Sequence, residues 1–281
     1  MLAYNHDQYI AQAIESVLRQ TTEFDFELVI GEDCSPDRTR QVAMQYASQY
    51  PERVRLILHD TNVGMHRNLV ETLEACRGQY VAFLEGDDFW TSDLKLQKQA
   101  AFLDSHPEFV ICSHPVQVLY ADRREDTATK PDPRQNVSLR ELIEYRYPLP
   151  SCGVMIRNGI LPRLPAWFYE VHNCDYAIQM LLARQGRIHY MDEVMGTYRK
   201  HQGGVSESTA AEYQLDKLIY LLDKMRGELD SQFHPLLLKR IALCHRYKAR
   251  YTLKRADLGG TFRSLTAYAG NYVHSIMARE T

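Results

Sequence analysis

Over the first 120 positions the apolar residues switch repeatedly between a period near 3.6 and short unbroken runs, a pattern that predicts helices alternating with buried strands. Ala11, Ile14, Val17 and Leu18 share one face of a helix entered from Asn5 or Asp7, and residues 27–31 read as a strand. Ser35-Pro-Asp-Arg-Thr opens a helix reaching about Tyr50, residues 53–58 form the next strand, and Asn62-Val-Gly-Met starts a helix that runs through Ala75 and stops at Gly78. A strand at 80–84, a helix at 93–103 and a strand at 109–120 complete this half. Strands separated by helices in this way favour a mainly parallel sheet with helices on its faces.

Farther along, residues 121–136 are polar, charged and proline-containing, and read as a mobile loop beside a site. A helix at 138–146, a strand at 152–157, a helix at 175–184 and strand character over 188–198 follow. After the Gly203-Gly204 break, residues 210–230 and 234–255 have the pattern of amphipathic helices, and no internal repeat is visible. The expected organisation is one domain over 1–205, with halves at about 1–120 and 121–205, and a helical, basic extension over 206–281.

Composition narrows the picture a little. With 45% hydrophobic and 25% charged residues over 281 positions, the chain has the make-up of a soluble globular protein with a sizeable core. A net charge of −3 argues against a nucleic-acid partner. The balance is uneven, because nine Lys or Arg from Lys239 onward face only Asp257 and Glu280. Six scattered cysteines, without a C-x-x-C pair or zinc-type spacing, point to reduced thiols in the cytoplasm. No apolar run approaches the roughly 18 residues of a membrane span, and the first residues lack the pattern of a signal peptide.

The sharpest chemical feature is Glu85-Gly-Asp87-Asp88-Phe-Trp90, three carboxylates around one glycine at the end of the 80–84 run. Hard cations such as Mg2+ and Mn2+ take oxygen ligands, and magnesium in particular binds through one or two carboxylates with substrate phosphates completing the shell. A solvated acidic turn is the plainer reading. The apolar run in front disfavours it, since it places the acids at a strand's C-terminal end, where open α/β sheets bind ligands. Two further acidic stretches, Gly31-Glu32-Asp33-Cys-Ser35 after a strand and Asn173-Cys-Asp175 at a helix start, would form one site with it if they converge.

Ala3-Tyr4-Asn5, Ser16-Val-Leu-Arg-Gln20, residues 27–35, Asn62-Val-Gly64, residues 85–90, Asp175 and Tyr198-Arg-Lys-His201 together resemble, in order and spacing, the family-2 glycosyltransferases of the GT-A fold over about residues 1–205. The resemblance implies a Rossmann-like, mixed but mainly parallel sheet flanked by helices, with a helical C-terminal extension. It also implies an inverting transfer of a sugar from a nucleotide donor, UDP-linked, to a saccharide or lipid-linked acceptor in the synthesis of a cell-surface glycan such as lipopolysaccharide. The cofactor implied is divalent Mg2+ or Mn2+.

By the same resemblance, Ala3, Tyr4 and Asn5 flank the base and Asp33 accepts its imide hydrogen, while Arg67 and Asn68 lie along the nucleotide. Helix capping or a turn is the structural alternative for Asp33. Asp87 is expected at ribose or metal and Asp88 at the metal, with direct coordination open between them, while Glu85 and Trp90 are supporting residues. Asp175 matches the general base, and equally an ordinary N-cap. Arg199 and His201 belong to a stretch, ending in two glycines, expected to close over the diphosphate. Family members usually carry more apolar residues before Ala-Tyr-Asn, so either the true start lies upstream or the chain is truncated, and residues 1–4 are expected to form at most a strand stub with a weakened central sheet.

Two other classes compete. A sugar nucleotidyltransferase would want a glycine-rich loop after the first strand, and Tyr4-Asn-His-Asp-Gln-Tyr9 has no glycine. A non-catalytic nucleotide- or sugar-binding protein would have no reason to keep Asp33, Asp88 and Asp175 together. The basic, apolar-interleaved C-terminal helices predict either packing on the domain or docking to an anionic membrane surface, which would make the protein peripheral on the inner face of the cytoplasmic membrane.

Overall fold

The computed structural model describes residues 1–120, 125–126, 136–145, 149–204 and 209–277. Contacts divide the chain into two units: Met1–Val137, Pro148–Pro162 and Gln185–His201 form the first, and Ser138–Tyr147, Arg163–Arg184 and Gln202–Thr281 the second. The division is therefore interleaved along the sequence, whereas the sequence pattern suggested one cut near residue 205. Apart from residues 125, 126 and 136, the loop expected at 121–136 lies outside the described residues.

In the first unit, β1 (Leu2–Ala3), β2 (Leu28–Glu32) and β3 (Val54–Leu58) form a parallel sheet in the order β1-β2-β3, interspersed with α1 (Ile10–Leu18), α2 (Thr39–Gln49) and α3 (Met65–Glu74). β4 (Tyr80–Ala82), β5 (Phe89–Trp90), α4 (Lys95–Ser105), β6 (Phe109–Ser113), β7 (Val116–Tyr120), β8 (Glu125–Asp126), β9 (Asn136–Val137), β10 (Met155–Arg157), β11 (Arg187–Tyr190) and β12 (Gly196–Lys200) follow. They build two mixed sheets, β4-β10-β6-β11-β9 and β5-β12-β7-β8. β10 runs antiparallel to both β4 and β6, while β11 and β12 run parallel to β6 and β7.

Two of the expected strands are each broken in two. The run at 109–120 divides into β6 and β7 around His114-Pro115, because proline has no N–H to donate to a ladder. The run at 188–198 likewise becomes β11 and β12, which pair in different sheets. The helices match their patterns more closely. α1 buries Ile10, Ala13, Ile14 and Val17 against the core; Ile14 and Val17 belong to the expected face, Leu18 packs against the core half-buried, and Ala11 is half-buried.

β1 is two residues long. The Met1 ammonium donates to Val29 O at 2.7 Å, and a cavity of about 360 Å3 lies beside it, lined by Leu28, Val29, Leu73, Val81 and Leu96 among others.

The second unit contains α5 (Leu139–Tyr145), α6 (Cys174–Ala183), α7 (Ala211–Glu228), α8 (His234–Lys254) and α9 (Leu258–Met277). Ser138 and Glu141 make a reciprocal capping box at the start of α5: Glu141 Oε2 accepts the Ser138 N–H at 2.9 Å, and Ser138 Oγ accepts the Glu141 N–H at 3.3 Å. The sequence pattern did not single out α9, whose large apolar residues face the opposite way from those of an ordinary surface helix.

Gly31 is fixed by close approach. A Cβ on Gly31 would overlap Thr72 Oγ1 and Asn68 Oδ1, both on buried side chains of α3. Gly31→Ala is expected to lower unfolding free energy by about 1–3 kcal/mol through overpacking, measured by urea denaturation. An unchanged midpoint would mean that α3 yields freely.

Candidate active site

The acid turn takes its place from backbone bonds to β1. The Leu2 N–H donates to Leu84 O at 3.2 Å and the Gly86 N–H to Leu2 O at 2.8 Å, while on the other side the Asp33 N–H donates to Ala3 O at 3.0 Å. The loop after β2 and the turn after β4 therefore flank one short strand. Beyond Ala3 the chain turns at Asn5, whose φ of 61° is left-handed, and Tyr4 is left exposed. The Asn5 N–H donates to Ser35 Oγ at 3.1 Å.

Asp88 is 1% exposed. Its Oδ1 accepts the Arg199 backbone N–H at 2.8 Å, and among the described residues its buried Oδ2 meets no hydrogen-bond donor in good geometry. Burial first, then the neighbouring charges of Asp87 and Glu85, push its pKa well above the usual carboxylate range. The Arg199 backbone N–H and, after it, the Cys152 thiol beside it pull the other way without offsetting this. Asp87 is driven the other way. Burial would raise its pKa, but the hydrogen bond with His201 and the influence of His6 outweigh that and hold it below the ordinary value. Asp87 Oδ2 lies 3.0 Å from His201 Nε2 and 3.6 Å from His6 Nε2.

Arg199 closes this cluster from β12. Its guanidinium donates to Asp87 O and Gln12 Oε1 and stacks over the rings of Tyr9 at 5.1 Å and Phe89 at 4.5 Å. Tyr9 also packs on His201, with ring centroids 4.9 Å apart. Gly86 lets the turn approach His6, because a Cβ there would come within 2.8 Å of His6 Nδ1. Burial lowers the pKa of His6, opposed by Asp87 and reinforced by His201.

The structure thus brings Ala3, Glu85, Asp87, Asp88, Arg199 and His201 together in the first unit. Asp33, 3% exposed, accepts the Val63 N–H at 2.7 Å and the Gly64 N–H at 3.0 Å, so its carboxylate fixes the start of α3. Asn68 points inward: its amide donates to Gly31 O at 2.9 Å and its Oδ1 lies 3.2 Å from His59 Nε2. Arg67 is exposed and pairs with Glu71 at 2.6 Å. Trp90 is a buried wall residue whose Nε1–H donates to Cys152 O at 2.9 Å.

Asp175 belongs to the second unit, exposed in the first turn of α6, and the N-cap position is Asn173. A carboxylate there faces the positive end of the helix dipole. His6, Tyr9 and Gln12 did not stand out in the sequence. The only available signal for them was their nearness to Ala3-Tyr4-Asn5, in the loop after a strand and the helix it enters.

A family model for glycosyl transferase family 2 matches residues 1–158. The chain belongs to that family. An uncharacterized protein of Mycobacterium tuberculosis is 37% identical to it over 208 residues, which is 74% of this chain and 59% of the relative. The family-2 chain thus spans well under two thirds of that relative's length. The poly(ribitol-phosphate) beta-N-acetylglucosaminyltransferase TarS of Staphylococcus aureus is 31% identical over 110 residues, 38% of this chain and 19% of TarS.

In fold, this glycosyltransferase domain resembles residues 1–349 of TarS solved with UDP-GlcNAc, with a TM-score of 0.63, 16% identity and coverage of 96% and 90% of the two chains. It also resembles a Pyrobaculum calidifontis mannosyltransferase solved with GDP-Man and Mn2+, with a TM-score of 0.64, 15% identity and coverage of 99% and 74%. The fold is GT-A, α/β with a helical C-terminal region, and the family relation extends to enzymes of polysaccharide biosynthesis.

The donor set suits a hard cation. Asp88 Oδ2 is a buried, unpartnered carboxylate oxygen beside two more acids. Among the described residues no three His, Cys, Asp or Glu side chains are already drawn together as a cage.

Because the folded pKa of Asp88 is raised, the native state binds more protons than the unfolded chain between the two pKa values, and stability falls as pH rises through that window. Asp88→Asn is accordingly expected to raise the metal-free melting temperature at neutral pH, with a gain of roughly 1–3 kcal/mol, while abolishing any stabilisation by Mn2+. Calorimetry with and without Mn2+ checks both halves.

Lys95, fully buried, donates to Gln99 Oε1 at 2.7 Å and lies 4.2 Å from the Trp90 ring centroid. Burial pulls its pKa from 10.5 down to about 7, against weaker opposing influences of Cys152 and Cys112. Between those values the unfolded chain binds more protons, so stability rises with pH across the window, and the penalty is complete below about 7. Lys95→Met is expected to flatten that slope, read from urea unfolding at several pH values.

Proposed function

We propose that this chain transfers a glycosyl group, with inversion, from a UDP-linked sugar to a hydroxyl of a saccharide or lipid-linked saccharide during cell-surface glycan synthesis on the cytoplasmic side. The observation that carries this reading is the buried Asp88 carboxylate, with its raised pKa and unpartnered Oδ2 next to Asp87 and Glu85. Such an arrangement is unfavourable alone and becomes favourable once a cation and a diphosphate complete it. The sugar nucleotides and Mn2+ in the two solved relatives support the same chemistry.

Asp88 and Asp87 would hold Mg2+ or Mn2+, which supplies Lewis-acid neutralisation of the charge growing on the leaving diphosphate. Tyr4 and Asn5 frame the base. Asp33, already oriented by two backbone amides, keeps further lone pairs for the imide hydrogen. Arg67 lies along the nucleotide, and Asn68 acts behind it by fixing α3 to β2. Arg199 and His201 add positive and hydrogen-bonding groups for the diphosphate, and Glu85 and Trp90 support the turn. Asp175 takes the proton of the attacking hydroxyl, and the new glycosidic bond forms as the bond from the anomeric carbon to the diphosphate breaks.

Thermal-shift assays with UDP-, GDP- and dTDP-sugars, each with and without Mn2+, test the donor. One UDP-sugar should raise the melting temperature only when Mn2+ is present, and a flat response to every nucleotide would sink the reading. Asp175→Asn should keep that donor response while losing about a hundredfold or more in turnover. Unchanged turnover would remove Asp175 from the mechanism.

A further inference from the structure

Helix α9 is inside out. Its buried positions are Gly260, Ser264 and Ser275, whereas Leu258 and Phe262 are 72% and 73% exposed. Leu265, Val273, Ile276 and Met277 are exposed as well. At 100° per residue these large side chains form one stripe, on the side opposite the small buried residues, running about 30 Å along the helix.

The inward face is small for a physical reason. Gly260 sits against α8, where a Cβ would come within 3.1 Å of Thr252 Cγ2, and Thr261 Oγ1 lies 3.0 Å from Thr252 Oγ1. The two helices approach through glycine and hydroxyl groups, which leaves the apolar side chains outward. Contiguous apolar surface of this kind on a folded chain marks an interaction site.

The charge carried by α8 and α9 says what covers the stripe. Between Ile241 and Met277 there are six Lys or Arg and a single acid, Asp257. That acid is engaged, since its Oδ1 accepts the Gly260 N–H at 2.9 Å. Arg246, Arg250, Lys254 and Arg263 are exposed and make no ion pair with a described residue, and on α8 three of them alternate with the exposed Tyr247, Tyr251 and Leu253. No helix among the described residues is long and apolar enough to cross a membrane. Apolar stripe, interleaved tyrosines and surplus cations together are the chemistry of a helix lying in a bilayer interface.

We propose that α9, with the exposed C-terminal turns of α8, docks on an anionic phospholipid bilayer. The α9 stripe enters the acyl boundary, and Arg246, Arg250, Lys254 and Arg263 meet headgroup phosphates. A second copy of this chain is a poorer occupant, because it would set the same surplus of cations against itself. The proposal does not depend on the sugar donor, and its readout is independent of nucleotide binding.

The test is sedimentation of the full chain with vesicles of phosphatidylcholine alone and of phosphatidylcholine mixed with phosphatidylglycerol, with oligomeric state followed by analytical ultracentrifugation. The protein should partition to the anionic vesicles, less so at high salt. Phe262→Ser with Ile276→Ser, and separately Arg250→Glu with Arg263→Glu, should each reduce the partition about tenfold or more without shifting the melting temperature, because all four sites are exposed. Equal solubility with both vesicle types overturns the proposal. So does a dimer that dissociates in the Phe262→Ser, Ile276→Ser variant, which would assign the stripe to a second copy.

Discussion

Leu2 and Ala3 form backbone hydrogen bonds in two directions, toward the end of β2 through Asp33 and toward the acid turn through Leu84 and Gly86. Both acidic loops of the first unit are referred to that two-residue strand. It sets Asp33 on one side and Glu85, Asp87 and Asp88 on the other, and the loop that follows it supplies His6 and leads to Tyr9 and Gln12. A buried acid cluster needs a rigid frame, because side chains that could relax toward water would not keep their unfavourable electrostatics.

The two adjacent aspartates show what that frame achieves. Asp88 is pushed toward protonation by burial and by its acidic neighbours, while Asp87 is held ionised by His201 and His6. Neighbouring groups with opposed titration are a usual signature of a working site, since one can carry charge that the other cannot yet bear. Arg199 touches both, through its backbone N–H to Asp88 and its guanidinium to Asp87 O, so β12 couples the two acids even though it is remote from them in sequence.

Much of this was legible in the residues alone. The acid turn could be read because an apolar run ends abruptly in carboxylates, and period and turn residues are local signals. The β6–β7 break was readable in principle from Pro115 but was hidden by the apolar residues on either side. Asn68 was assigned by resemblance to the nucleotide, while in the fold its amide turns inward to Gly31, a direction that sequence spacing does not encode. His6 was invisible because a lone histidine has no period. The orientation of α9 was missed for the opposite reason: a sequence pattern identifies an amphipathic face but not whether that face meets the protein or its surroundings.

Gly86 sits between Glu85 and Asp87, where its lack of a side chain admits His6 Nδ1 and the Leu2 carbonyl. The consequence concerns descent. A lineage that exchanged this glycine for a larger residue would have to displace His6 as well, while losing His6 alone would still leave the Leu2 carbonyl within 3.2 Å of a Cβ there. A change at residue 86 is therefore expected only where residue 6 has changed as well, so the spelling of the acid signature is a record of what stands in the loop after the first strand.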